Sequence, residues 1–265
     1  WKSRDAEEWQ GNFVADLRQR PLRPVKVRWN RFCCLTYSPE MDFYAAFYYI
    51  PPMQCWMLLG GKDPLEANSW KRLCDLPKQE SPYLFLDQRP RWFGRYLCFG
   101  DRQSATILTM NPQGVERVQR FPLPKAQHPG RFACDGLGRI LLAHGEETYC
   151  FENGSLSPLG FHILSGDGFN GSIPVPETGR LVMCGFSDRE VVARLLELDI
   201  DTRRCRATRM QNVDPWSVLL PFGEDWVLVK GACDSMRLDF ARLWNRTTGE
   251  VLRIRPGMFG SEKLE

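Results

Sequence analysis

Five short apolar runs, each following a turn, return along this chain at a nearly constant interval. They occupy positions 54–58, 94–98, 138–142, 179–183 and 224–228, with first residues 40, 44, 41 and 45 positions apart. Three of them open with the same dipeptide, Gly94-Arg95, Gly138-Arg139 and Gly179-Arg180. A period of that size is far longer than a helical turn or a strand pleat, so the repeated object is a supersecondary unit. Other features keep the same phase. Turn sequences rich in Asn, Asp and Gly stand at 111–114, 152–155, 201–204 and 247–250, where those residues tolerate the left-handed backbone of a tight hairpin. A further candidate strand follows each turn, at 115–121, 156–159, 205–210 and 251–254, with 70–73 as the equivalent in the first repeat. Another precedes each apolar run, at 32–37, 83–86, 132–134, 173–175 and 216–220.

Each unit therefore reads as three or four strands of about 4–8 residues, with no helical period between them. Four-stranded units of this length repeated in phase predict an all-β chain, a β-propeller of about five four-stranded blades. A β-sandwich also has many short strands, but nothing in it requires five in-phase copies. Six blades stay open, because 24–29 can supply an outer strand of a further blade or a closing strand. The first residues differ in pattern. Trp9, Phe13 and Leu17 fall at i, i+4 and i+8, with Ser3 as a cap, acids early, Arg18 and Arg20 late, and Pro21 as a stop. That predicts a short N-terminal helix, and a division into a helical arm at 1–23 and a propeller at 24–265. The arm packs on the propeller or is the tail of an adjoining helical domain. A start at Trp1 rather than Met suggests a piece of something longer.

The first repeat carries Leu58-Leu59-Gly60-Gly61, then Trp70-Lys71-Arg72-Leu73, then Leu76-Pro77. This resembles a kelch blade, in which a glycine pair ends the second strand and a tryptophan sits on the outer strand before a Leu-Pro tail. The second repeat is a weaker copy, with Phe99-Gly100, Met110-Asn111-Pro112 and Leu123-Pro124, and the fourth keeps only 198–202 and the strand ending at Met210. The resemblance runs from residue 31 to about 256. It implies a kelch-like propeller of the kind found in F-box proteins and galactose oxidase. The copper chemistry of the latter needs paired tyrosines, histidines and a cross-linked cysteine, for which no local counterpart stands out.

Composition sets the remaining bounds. Thirty-five basic against 32 acidic side chains leave a net charge of +3, too small to argue for nucleic acid or an anionic membrane as partner. The longest uncharged stretch, 43–61, is broken by Pro51-Pro52 and does not suit a membrane span. Ten cysteines occur with no Cys-x-x-Cys pair, so zinc and redox motifs have little support. Most lie in apolar runs, where a thiol acts as a small buried hydrophobe, and a reducing, cytoplasmic setting follows. The even count and the sequons at Asn153, Asn170 and Asn245 keep a secreted, disulfide-linked domain as the rival.

No nucleophile elbow, metalloprotease helix or phosphate loop is present, and His128, His144 and His162 are scattered. The expectation is no catalytic residue, no metal and no cofactor, with an enzyme less favoured than a binding module. The loop Gly166-Asp167-Gly168-Phe169-Asn170-Gly171 lacks the carboxylates of a calcium loop and reads as a connection between blades. Arg203, Arg204, Arg206 and Arg209 read as a solvated blade edge rather than a nucleic-acid patch. Loops leading into inner strands rim the channel of a propeller and commonly carry its contacts. On that ground Tyr83, Arg131, Phe169, Asn170, Asp214 and Trp216 are the candidate partner-binding residues. The resulting expectation is a protein-interaction module within a larger protein or complex, monomeric as a propeller and suited to substrate recognition in a ubiquitin ligase. A glycosidase- or lectin-like propeller using Glu80, Asp167 and Asp214, and a bacterial immunity or scaffold protein, are the alternatives.

Overall fold

Aromatic, β-branched and leucine-rich segments separated by Asn, Asp and Gly turns leave little scope for helix. The computed structural model describes residues 13–14, 25–26, 32–50, 55–66, 69–75, 90–127, 129–160, 172–187, 190–209, 218–230 and 241–254. All regular structure among the described residues, apart from an isolated turn at residue 69, is strand.

Two units make up the chain, 1–122 and 123–265. The first holds a two-residue pairing of β1 (Phe13–Val14) with β2 (Val25–Lys26) and two four-stranded antiparallel sheets. Sheet one is β3 (Phe32–Ser38), β4 (Phe43–Ile50), β5 (Cys55–Gly61) and β6 (Lys71–Asp75) in spatial order. Sheet two is β7 (Arg91–Phe93), β8 (Tyr96–Gly100), β9 (Ser104–Asn111) and β10 (Gly114–Pro122). The second unit holds three more sheets. Sheet three is β11 (Arg131–Cys134), β12 (Ile140–His144), β13 (Glu147–Glu152) and β14 (Ser155–Pro158). Sheet four is β15 (Ile173–Val175), β16 (Arg180–Ser187), β17 (Glu190–Asp199) and β18 (Arg204–Arg209). Sheet five is β19 (Val218–Phe222), β20 (Trp226–Lys230), β21 (Ala241–Asn245) and β22 (Val251–Arg253). Each sheet is a simple up-and-down meander, and first strands neighbour one another in turn, β11 beside β15 and β15 beside β19.

The cores lie between consecutive sheets, which explains why the middle strands are continuously apolar rather than alternating. On β16, Leu181 and Met183 join Ala133, Leu141 and Cys150 of sheet three. The intervening Val182 and Cys184 join Leu219, Val227, Val229 and Trp244 of sheet five. Successive side chains point to opposite faces, so a strand with a sheet on either side buries every residue. In the first unit Ala45, Phe47 and Leu58 pack against Leu97, Phe99, Leu108 and Met110, with Phe47 edge-on to Phe99 at 5.5 Å between ring centroids.

The turns behave as their residues suggest. Asn111 Oδ1 accepts the N–H groups of Gln113 and Gly114 at 2.9 and 3.0 Å, and Asn245 Oδ1 those of Thr247 and Thr248 at 2.9 and 2.8 Å. Asn153 and Gly154 both have positive φ, 51° and 79°, the pattern of a two-residue hairpin turn.

Three expectations need correction. Phe13 is paired as a strand residue opposite Lys26, not a turn of helix; Phe and Val suit an extended, paired backbone, and prolines at 21 and 24 interrupt the intervening chain. The rest of the arm, and the boundary at residue 23, lie outside the described residues. Among the described residues Val25–Lys26 pairs with β1 in a separate two-stranded sheet rather than with a blade. The first repeat is also displaced by one strand. Residues 55–61 form the third strand of sheet one, whereas the Gly-Arg runs lead into second strands, so the second strand there is β4. The glycine pair Gly60-Gly61 thus ends a third strand, and the inner strand of sheet two is β7, not 83–86, which lies outside the described residues.

Candidate functional site

Of the six candidate rim residues, Arg131 alone is described; Tyr83, Phe169, Asn170, Asp214 and Trp216 lie outside the described residues. Arg131 opens β11, half-buried, and pairs across to Ala143 of β12. The end of the blade at which it stands is stiffly built. Gly130 packs so closely that a Cβ would come within 2.7 Å of Leu142 Cδ1 and 3.0 Å of His144 Nδ1. His144, the last residue of β12, is buried, and its Nε2 lies 2.7 Å from the Pro124 carbonyl oxygen. A carbonyl only accepts, so Nε2 carries the proton, and Nδ1 is left as a buried ring nitrogen without a hydrogen-bond partner. Glu147, opposite His144 across the hairpin, accepts the N–H groups of Thr148 and Gly160 at 3.1 Å each, tying the start of β13 to the chain beyond β14. Arg131 therefore stands, half-buried and with its Nε enclosed, beside a segment held by backbone contacts.

His144 is thus a structural residue anchoring the segment before β11, while His128 and His162 lie outside the described residues. Among the described residues no three His, Cys, Asp or Glu side chains gather as metal ligands. Nor is any helix among them long and apolar enough to cross a membrane.

The opposite end of the third blade carries a polar junction that sequence reading does not single out. Asp135, with no exposed side-chain surface, accepts the N–H groups of Leu137 and Arg139 at 3.0 and 2.9 Å through Oδ1. Its Oδ2 receives Arg139 Nε at 2.6 Å. Arg139 reaches on, NH1 donating at 2.6 Å to Asp201 in the β17–β18 turn of the next blade. Burial works against the guanidinium charge, but the hydrogen bonds it donates to Asp201 and Asp135, with their negative charges, outweigh it and raise the Arg139 pKa above its ordinary value. Backbone completes the seam: Gly136 N–H donates to Arg180 O at 3.1 Å, and Glu177 N–H donates to Gly136 O at 3.2 Å. The available signal was Asp135 standing four residues before Arg139. The other Gly-Arg pairs act differently, Arg180 reaching Glu197 of its own blade at 3.1 Å and Arg95 lying 5.5 Å over the Tyr96 ring.

No protein-family model matches the chain, and no curated protein matches it. Its likeness is to solved structures. It is similar to the β-propeller domain of the trilobed protease of Pyrococcus furiosus, at 12% identity and a TM-score of 0.55, over 92% of this chain and 74% of that one. A candidate 6-phosphogluconolactonase from Bacteroides fragilis aligns at 13% identity and a TM-score of 0.55, over 92% and 75%. An acylaminoacyl peptidase aligns at 11% identity and 0.52, over 92% of this chain and 41% of its own, so the chain spans less than half of that enzyme. The fold is a β-propeller. Its five four-stranded meanders are the blades, β3, β7, β11, β15 and β19 the inner strands, and β6, β10, β14, β18 and β22 the outer ones. Identities this low carry the architecture and no activity.

Proposed function

We propose that this propeller is a protein-interaction module that holds a partner on the loops leading into its inner strands, with Tyr83, Arg131, Phe169, Asn170, Asp214 and Trp216 as the contact residues. The observation that carries the reading is the setting of Arg131, a residue type that anchors interfaces, on a platform immobilised by Gly130, His144 and the Pro124 carbonyl. A backbone held in place before binding loses less entropy when a partner arrives. Within this reading Trp70, just before the outer strand, and the Leu76-Pro77 tail suit a kelch-type setting, although Gly60-Gly61 ends a third strand rather than a second, and recruitment of substrates to a ubiquitin ligase is the task. The free thiols of Cys74, Cys150 and Cys205 suit the reducing, cytoplasmic compartment such a task needs.

The test is affinity capture with the wild-type chain beside Arg131→Glu and Trp216→Ala, each first shown by circular dichroism to melt like the wild type. A partner retained by the wild type and lost by both variants is the expected result. Retention by both variants, or saccharide binding with no protein partner, overturns the proposal.

A further inference from the structure

We infer that the outer edge of the fourth blade, strand β18, is a docking edge for an extended acidic segment of a partner protein, which adds to the sheet as a fifth strand. An outer strand exposes unpaired backbone N–H and C=O groups, and proteins normally blunt such edges with bulges, prolines, short length or charge. The described outer strands differ in which device they use. The pairings of β6 and β10 are broken by bulges, at Leu58/Leu59 and Val115/Arg117, and β10 ends in Pro122. β14 has four residues and ends in Pro158, and β22 has three. β18 has six residues, neither proline nor glycine, and an unbroken register against β17 from Arg194↔Arg209 to Asp199↔Arg204. Among the described residues it is hydrogen-bonded on one side only, to β17. Of the four devices, charge is the one β18 uses among the described residues.

That charge is one-signed along the strand, with Asp199 opposite Arg204 and Glu197 opposite Arg206 on β17. Arg203, Arg204 and Arg206 are exposed and make no salt bridge among the described residues. The acids beside them are already engaged. Glu197 takes Arg180 at 3.1 Å, Asp201 takes Arg139 at 2.6 Å, and Asp199 accepts the Thr202 N–H at 2.9 Å, which holds its carboxyl below the ordinary range. Arg204 and Arg206 stand two apart, so they share one face of the strand. A second copy of β18 laid alongside would set arginine against arginine, which is destabilising; a strand with glutamates at alternate positions would set opposite charges across from both. The edge thus rejects itself and selects an acid, the joint action of backbone pairing and charge that strand addition uses. This surface is separate from the rim around Arg131, so the two readings can fail independently.

The probe is a fluorescent peptide of about eight residues alternating glutamate and threonine. Its partners in the experiment are a glutamine-for-glutamate peptide and an acidic peptide N-methylated at every second residue, which keeps the charge and removes one hydrogen-bonding edge. The expected result is saturable binding of the acidic peptide alone, weakened by salt. The Arg204→Glu/Arg206→Glu variant should bind it at least roughly tenfold more weakly and bind a lysine-threonine peptide instead, a gain that a misfolded variant would not show. Equal binding of the N-methylated peptide would refute strand addition. Failure of the lysine peptide to bind the reversed edge, or self-association of the wild-type chain through β18 in sedimentation, would refute the assignment of an acidic occupant.

Discussion

Replacing Asp135 by alanine should destabilise the protein far more than replacing Asp201, although the two carboxylates hold the same arginine at the same 2.6 Å. The difference lies in what surrounds them. Asp135 has no exposed side-chain surface, and Asp201 is 53% exposed. Removing Asp201 deletes a pair that water and salt already screen, worth about 0–1 kcal/mol. Removing Asp135 takes the acceptor from two backbone N–H groups and from Arg139 Nε at once. Breaking a buried pair from one side costs about 3–5 kcal/mol. Arg139 is itself 23% exposed and keeps Asp201, so the lower end, about 3 kcal/mol, is the expected value.

Thermal melts followed by circular dichroism provide the assay. For a domain of this size about 3 kcal/mol corresponds to a fall in Tm of roughly 6–12 °C, against at most roughly 4 °C for Asp201→Ala. Asp135→Asn, which retains an acceptor for the backbone, should fall between them. The double variant Asp135→Ala/Arg139→Met should be less damaged than the sum of its parts, since each change leaves the other group stranded. Equal shifts for the two alanine variants would refute the reasoning. So would an Asp135→Ala protein melting within roughly 2 °C of wild type, because the burial difference would then carry no energetic weight.

Two further outcomes follow from the same geometry. Gly136→Ala should be more damaging than Gly179→Ala: a Cβ at 136 overlaps the Val175 carbonyl, which is backbone, whereas one at 179 meets the far ends of the Asp201 and Arg139 side chains, which can shift at the cost of straining their partly exposed ion pair. Soluble yield and Tm of the two variants decide it. Burial pushes the Cys74 thiol up to about 11, against the lowering influence of Arg120 and Arg72. The folded state then holds its proton more tightly than the unfolded chain, so this contribution to stability is intact below about pH 9 and is lost as pH rises toward 11. Cys74→Ala should flatten that part of the Tm–pH curve, and iodoacetamide at neutral pH should spare Cys74 in the native protein; rapid native alkylation there would contradict the burial.

What could be read from the residues alone divides by physical range. Turns are made by three or four neighbouring residues, and the segments holding Asn111, Asn153, Asp201 and Asn245 all became the third-to-fourth-strand hairpins their chemistry demands. The strand at 173–175 has the expected bounds for the same reason. Phase is a longer-range property. Each strand of a blade packs much like the next, so residues 55–61 match second strands by pattern although they form a third, behind the longer β4. The function of a repeated dipeptide was less legible still. Gly-Arg marks where a second strand begins, but whether its arginine clamps the next blade, pairs within its own, or covers a tyrosine depends on an acid or ring brought near by folding. At the rim, the residue types were the only guide, and Arg131 alone can be set in its surroundings.

Net charge shows the same limit in a form that bears on recognition. A chain with an excess of three positive charges reads as electrostatically neutral toward partners. Yet the described outer strands carry Lys71, Arg72, Arg117, Arg120, Arg204, Arg206, Arg209 and Arg253 against Asp75 and Glu116. Their excess of six exceeds that of the whole chain, so all remaining residues together are net acidic by three. Edge protection explains part of this segregation, since charged outer strands resist pairing with one another. It does not explain why β18, the edge with an unbroken six-residue register, is also the one whose neighbouring acids are committed elsewhere. If repulsion between copies were its whole purpose, Arg204→Glu with Arg206→Glu would also keep copies apart, because like charges of either sign repel, at the cost of facing Asp199 and Glu197 across the ladder. Both forms should therefore stay monomeric in sedimentation while their peptide preferences reverse. A reversed edge that aggregates would mean that the sign of the charge protects the fold itself, and that β18 is guarded rather than poised to bind.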